Sequence, residues 1–326
     1  MKIHYYILII TILTACIQEK TKNTLEMNNE KGIELQAQYF YPKETFDVMG
    51  MNIIDKNLVI TSMKSKTLIH IYDAQSLQLN ASFGERGEGP NDLMLPILCG
   101  TPTDVMFLGG YDRITTFIAY SLNQGKPVML EKFKIPQNGN PMNDMILLDS
   151  THLIFNDIFE LQIKELNLNN NQQTLLKQYK KEDHRESFFY SNKGTLASTG
   201  TSIAYAYSYK NQIDFMDLKG NIIKSVKKDE RKPSITINPN NDNIYSYINI
   251  CANNKYYYAL YRNKTEKEFI QGQYKGDIME VYDDEGRLIQ TYTFDFSPII
   301  YAIDKNNQRM FGFNAAKEAI LIYDLP

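Results

Sequence analysis

Beyond residue 15 the histidines His70, His152 and His184 stand far apart, with no two at i+2 or i+4 and no HExxH, so a zinc site has no local support. Asn238, Asn240 and Asp242 have the alternate spacing that opens a calcium loop. The glycine at the sixth position and the glutamate at the twelfth are missing, so a polar turn is expected. Gly84, Gly87 and Gly89 could bring backbone N–H groups to a phosphate. No helical pattern follows them, and Glu85 and Glu88 would repel an anion, so they are read as a structural turn. A G-x-S-x-G nucleophile elbow is absent. The sequence therefore displays no nucleophile–base pair, metal cluster or phosphate loop, and no cofactor is expected.

Composition narrows the partners. The 326 residues carry 35 Lys+Arg against 38 Asp+Glu, a net charge of −3, which gives no basic field for a nucleic-acid backbone. Three cysteines are too few for a disulfide framework. The 23 Tyr and 16 Phe, with no Trp, must supply the aromatic part of the core.

Met1-Lys2, the apolar stretch Ile3 to Leu13 and the ending Thr14-Ala15-Cys16 form a positive, apolar, small-residue series too short to span a bilayer. Leu13-Thr14-Ala15-Cys16 resembles the bacterial lipobox. That resemblance implies a signal peptide over residues 1–15, cleavage before Cys16, and acylation of its thiol. Membrane lipid is then one partner, because two or three acyl chains anchor stably where one is marginal. Residues 16–32, polar and without periodicity, read as acylated Cys and tether. Ile17, where inner-membrane lipoproteins of the enterobacterial type usually carry Asp, points to the outer membrane of the bacterial envelope, facing the periplasm or the outside.

From residue 33 onward, short runs rich in Ile, Val, Phe, Tyr and Thr alternate with polar residues, and no helical periodicity exceeds two turns. Two kinds of hairpin recur. One reads IIDKNLVI from Ile53, LLDSTHLIF from Leu147, ICANNKYYYAL from Ile250 and AIDKNNQRMFGF from Ala302. The other has corner residues at Asp73, about Tyr120, Asn167, Asp217, Asp283 and Asp324, where Asp or Asn supplies a side-chain-bonded turn. Six pairs over residues 33–326 give about 49 residues per unit. That predicts an all-β, six-bladed β-propeller of four-stranded antiparallel blades. Its last hairpin, from Ala319, lacks a following strand, and the first strand, Glu34 to Tyr41, lacks a partner. Pairing the N-terminal strand with the C-terminal strands would close the ring and remove its edges.

With the lipobox, the six units and the segment FGERGEGPNDL (Phe83 to Leu93), the chain resembles uncharacterised bacterial lipoproteins with a TolB-like six-bladed propeller; the Phe-Gly-x-x-Gly-x-Gly-Pro run is also NHL-like. The resemblance implies the fold and the envelope address and carries over no catalytic residue.

In such blades the loops between strands 2 and 3 and between blades share one face. The long segments Gly84–Leu95, Ile135–Pro141, Lys180–Glu186, Lys228–Asn243 and Arg262–Asp277 all fall there. Loops on a rigid scaffold carry function, so Arg86, Glu88, Tyr111, Asp112, Arg262 and Tyr274 are the candidate contacts for a protein or polar ligand. Cys99 and Cys251 fall in the first strands of units two and five, too far apart to bridge, and read as buried thiols. The Lys/Arg runs Lys177–Arg185 and Lys224–Lys232, broken by acids, read as solvated loops, and Tyr205, Tyr207 and Tyr256–Tyr258 as filling between blades. Two activities fit: a lipid-anchored, non-enzymatic binding or scaffold module, or a metal-dependent hydrolase or lactonase with its ligands in the propeller channel.

Overall fold

Asp and Asn corners set the turns, and the turns set the blades. In the computed structural model, which describes residues 32–43, 47–87, 89, 92–110, 116–135, 142–180, 190–229, 243–272 and 275–326, Asp73 Oδ1 accepts from the N–H groups of Gln75 (3.1 Å) and Ser76 (2.8 Å). Asp217 Oδ1 likewise accepts from Lys219 and Asn221, and Asp283 Oδ1 from Glu285 and Arg287. Asn253 and Asp149 cap turns of the first kind in the same way. A side chain that satisfies the turn's own donors reverses the chain tightly, so consecutive strands pair as antiparallel neighbours.

The strands are β1 (Ile33–Leu35), β2 (Gln38–Phe40), then β3 (Val48–Ile54), β4 (Asn57–Ser62), β5 (Thr67–Asp73) and β6 (Leu79–Glu85) in the first blade. The second blade holds β7 (Ile97–Leu98), β8 (Met106–Gly109), β9 (Thr116–Asn123) and β10 (Lys126–Lys134). The third holds β11 (Asn143–Leu147), β12 (His152–Asp157), β13 (Gln162–Asn167) and β14 (Gln173–Gln178). The fourth holds β15 (Gly194–Ser198), β16 (Ser202–Tyr207), β17 (Gln212–Asp217) and β18 (Ile222–Lys227). The fifth holds β19 (Ile244–Ala252), β20 (Tyr257–Thr265), the short helix α1 (Glu266–Ile270), β21 (Ile278–Tyr282) and β22 (Leu288–Phe294). The sixth holds β23 (Ile300–Ile303), β24 (Arg309–Asn314) and β25 (Ala319–Asp324). The result is the expected six-bladed propeller.

Closure follows the expected route with one refinement. The N-terminal segment is two strands rather than one. β2 completes the sixth blade, antiparallel to β25 with Gln38 opposite Ile322 and Phe40 opposite Ile320. β1 adds to the fifth blade as an outer strand parallel to β22, Ile33 opposite Tyr292. The chain thus stitches two neighbouring blades together across its own ends.

Burial explains why the middle strands read as nearly continuous apolar runs. All six residues of β4 and all six of β16 are buried, because a blade is covered on both faces by its neighbours. Leu58 and Ile60 pack toward Phe311 and Ile322 of the sixth blade, while Val59, pointing the other way, packs toward Met106 and Ile118 of the second. Among the described residues each pair of consecutive blades encloses its own apolar cluster, including the pair that closes the ring. The outer strands β6, β14 and β18 consist almost wholly of exposed and half-buried residues.

Candidate functional site

The up-and-down order of strands sends every inter-blade connection and every β-turn between second and third strands to one end of the propeller, here called the loop-rich end. Arg86 stands there, exposed, at the start of the β6–β7 connection, bridged to Leu93. Its Nη2 donates to the Met63 carbonyl at 2.5 Å, which ties the connection to the turn between β4 and β5. Leu93 is fully buried, and the Asp92 carboxylate accepts from the Gly89 N–H at 3.0 Å, so this glycine-rich segment is a turn held by its own acid. Gly110 pins its far side. With φ +95 it lies against the Leu95 carbonyl, where a Cβ would sit 1.6 Å from that oxygen.

Arg262 departs from its expected role. Its side chain is 0% exposed, as is that of Asp277, and Nε and Nη2 donate to Asp277 Oδ2 at 2.8 and 2.5 Å. Lys264 Nζ reaches the other carboxylate oxygen at 3.2 Å, and the guanidinium lies 4.6 Å from the centre of the Phe269 ring. A guanidinium taken out of water needs such a partner, so Arg262 braces the β20–β21 connection instead of meeting a ligand. The same connection carries α1, capped by Thr265 and Glu268, and Glu266 accepts from Tyr209, which stacks on Tyr245. Glu88, Tyr111, Asp112 and Tyr274 lie outside the described residues, as do Cys16, His184 and the Asn238–Asp242 stretch.

Two lysines expected in solvated loops are structural. Lys177 at the end of β14 pairs with Asp214 of β17 at 2.5 Å, and Lys228 just beyond β18 pairs with Glu280 of β21. Each acid also accepts from tyrosines: Asp214 from Tyr207 (2.7 Å), Glu280 from Tyr247 (2.9 Å) and Tyr282 (2.8 Å). Burial works against ionisation of Asp214, but the Lys177 charge and the hydrogen bonds outweigh it and hold the carboxyl below its ordinary range. The ion pairs therefore bolt the third blade to the fourth and the fourth to the fifth, beneath the loop-rich end.

Along the axis, the innermost strands of all six blades enclose a cavity of about 240 Å3. Its polar lining is Asn52, Thr101, Asp144, Ser198, Asn249 and Tyr301, with the thiols of Cys99 and Cys251. Asp144 sits at a bulge of β11, between the pairs Asn143–Asn156 and Met145–Phe155, with φ +48. Its carboxylate accepts from the Leu196 N–H of β15 in the next blade. Burial pushes this carboxyl up to about 7, with the Leu196 N–H acting the opposite way. Cys99 is buried as expected and Cys251 half-buried, and burial raises both thiols. Nothing in the sequence around Asp144 singles it out, since its place depends on the bulge and on the neighbouring blade. Among the described residues, no three His, Cys, Asp or Glu side chains gather to hold a metal ion.

His70 is buried between Ser65 Oγ (2.9 Å) and Ser82 Oγ (3.1 Å), a packed residue within its blade. Tyr205, Tyr207, Tyr257 and Tyr258 are buried between blades, with Tyr205 OH bridging Asn156 Nδ2 and the Asn192 carbonyl.

No protein-family model matches the sequence, and no curated protein matches it. The fold is similar to that of solved propellers. A streptogramin B lyase structure aligns over 90% of this chain and 98% of its own with a TM-score of 0.54 at 12% identity. The WD40 repeats of RRP9 align over 89% and 97% with a TM-score of 0.53 at 8% identity. At these identities the likeness is one of fold alone.

Proposed function

We propose that the chain is a lipid-anchored binding or scaffold module of the bacterial envelope. Cys16 holds it at the membrane, the outer one by the address that Ile17 gives, and the loop-rich end receives a protein or polar ligand. One observation carries the reading of the face: the longest connections leave the blades at a single end, while the opposite end has shorter turns, several of them closed by their own Asp side chains at Asp73, Asp217 and Asp283. A face with little conformational choice is a poor adaptable binding surface, whereas loops on a rigid disc present varied chemistry at low ordering cost. Arg86, exposed and held in place by Met63, is the described residue best placed to meet an acidic or polar partner.

Two measurements test this. Mass analysis of the N-terminal peptide from the native membrane should find diacylglycerol on Cys16, with Cys16→Ser left unprocessed; an unmodified Cys16 would remove the anchor. Photo-crosslinkers placed singly at Arg86 and at Lys219 of the opposite end should give adducts from the first position and not the second. Equal labelling from both would remove the face.

A further inference from the structure

We infer that the rim formed by the N-terminal strands β1 and β2 lies on the bilayer, so that the propeller stands edge-on to the membrane and its loop-rich end opens along the lipid surface. The inference rests on the lipid anchor at Cys16 and goes beyond it, because an anchor by itself sets no orientation. The place where the chain enters the fold is the first reason. Sixteen residues, 17–32, separate Cys16 from Ile33. β1 is the outermost strand of the fifth blade, with Ile33 opposite Tyr292 of β22, and β2 follows at once as the outermost strand of the sixth. The folded segment nearest the anchor is therefore rim over its whole length.

Its side chains are the second reason. Leu35 is buried between the fifth and sixth blades, and Phe40 packs edge-on against Tyr72, so both are accounted for by the core. Ile33, Tyr39 and Tyr41 are exposed, Tyr41 to 66%. The rings of Tyr39 and Tyr41 stack at 6.5 Å, and Lys317 Nζ lies 5.8 Å from the centre of the Tyr39 ring. On β22, beside β1, Leu288 and Ile289 are exposed as well. Single exposed apolar residues are ordinary, but here they gather where the anchor enters. Paired tyrosines beside an ammonium on an apolar stem suit the membrane interface: rings and stem meet the acyl boundary while hydroxyls and ammonium stay among the headgroups. Exposed Lys43 and Lys317 are matched by exposed Glu34 and Glu318, so the attraction is apolar and needs no anionic lipid. Leu288 follows the Asp283 corner at the short-turn end, whereas Tyr41 continues β2 toward the loop-rich end, since Phe40 lies opposite Ile320 near the start of β25. The group spans the height of the rim, and a bilayer that touches all of it holds the disc edge-on.

The sequence contains no Trp, so a single one reports without background. Tyr41→Trp, Ile289→Trp and Leu130→Trp each replace an exposed side chain; Leu130 lies on β10 of the second blade, across the ring from the fifth, where Val128 and Met129 are exposed beside it. The full-length lipidated variants are reconstituted in phosphatidylethanolamine–phosphatidylglycerol vesicles that contain brominated lipid. Emission from Tyr41→Trp and Ile289→Trp should shift to the blue and be quenched, and Leu130→Trp should keep solvent-like, unquenched emission. Exchanging phosphatidylglycerol for phosphatidylcholine should leave these results unchanged. Adding Tyr39→Ser and Tyr41→Ser to Ile289→Trp should relieve its quenching while the vesicles still carry the chain. Flotation of the same vesicles reads the anchor separately. A chain that floats with equal quenching at all three positions, or with none at Tyr41→Trp, would overturn the edge-on docking and leave the anchor standing. A chain that does not float would overturn the anchor and the docking with it. A blue shift at Tyr41→Trp that grows with protein concentration and ignores brominated lipid would overturn lipid as the occupant and give the rim to a second copy.

Discussion

Replacing Asp277 by Ala removes the carboxylate that serves both Arg262 and Lys264. The guanidinium would stay where it is, 0% exposed, with Nε and Nη2 deprived of their bonds and Nη1 already without a hydrogen-bond partner. Breaking a buried pair from one side costs about 3–5 kcal/mol, because it leaves an uncompensated charge. For a unit of about 300 residues, Lys31–Pro326, the unfolding entropy is roughly 0.6 kcal/mol/K, so the melting point should fall by about 5–8 °C if unfolding is two-state. The stacking of Arg262 on Phe269 does not replace the lost anion. Melting followed by far-ultraviolet circular dichroism, with urea titration as a second measure, gives the number. Arg262→Ala should also destabilise, while the double change Arg262→Met with Asp277→Leu should recover most of the loss, since a packed apolar pair is often neutral against a buried ionic one. A drop under about 1 kcal/mol for Asp277→Ala would refute the reasoning, and a stable Arg262→Ala would return that residue to the ligand-contact role read from the sequence.

Four further outcomes follow from the same structure. Cys99 and Cys251, whose thiols burial raises, should resist thiol reagents in the folded chain and react only on unfolding; rapid labelling in native buffer would contradict their packing. Gly110→Ala should cost at least about 2 kcal/mol in urea unfolding, because a Cβ at φ +95 would strike the Leu95 carbonyl, a backbone atom that cannot swing aside. Removing residues through Tyr41 should expose β25 and drive self-association in size-exclusion chromatography, whereas removal of residues 1–31 should not, since β1 and β2 remain. Asp214 has a folded pKa below its unfolded one, so its contribution is present above about pH 4 and is lost as pH falls through the folded value. The acid limb of stability should therefore be steeper in wild type than in Asp214→Asn, and parallel limbs would refute the pairing with Lys177.

The fold was legible because its determinants are local. Asp73, Asn167, Asp217 and Asp283 bond to N–H groups within the next few residues, so the corners show in the sequence itself. Alternation between them marks the strands, and the count of corners gives the number of blades. Even closure could be read, from a last hairpin without a partner and a first strand without one. What escaped is the division of that first strand into β1 and β2, because a parallel addition to β22 leaves no turn to announce it.

The side chains that matter most were settled by the ring. Lys177 meets Asp214 across 37 residues, Lys228 meets Glu280 across 52, and Asp144 meets Leu196 across 52. These separations are close to one blade, the distance at which local patterning is silent and the stacking of one sheet on the next decides who is neighbour to whom. Arg262 shows the consequence at shorter range: in the sequence it is a charge at the mouth of a long loop, and only the return of that loop to β21 places Asp277 over it and takes both out of water. The sequence by itself determined the turns, the strands and the closed ring, because each rests on bonds between near residues. The tertiary structure alone decided which charges are paired and which acid reaches the channel, because burial belongs to neighbouring blades together.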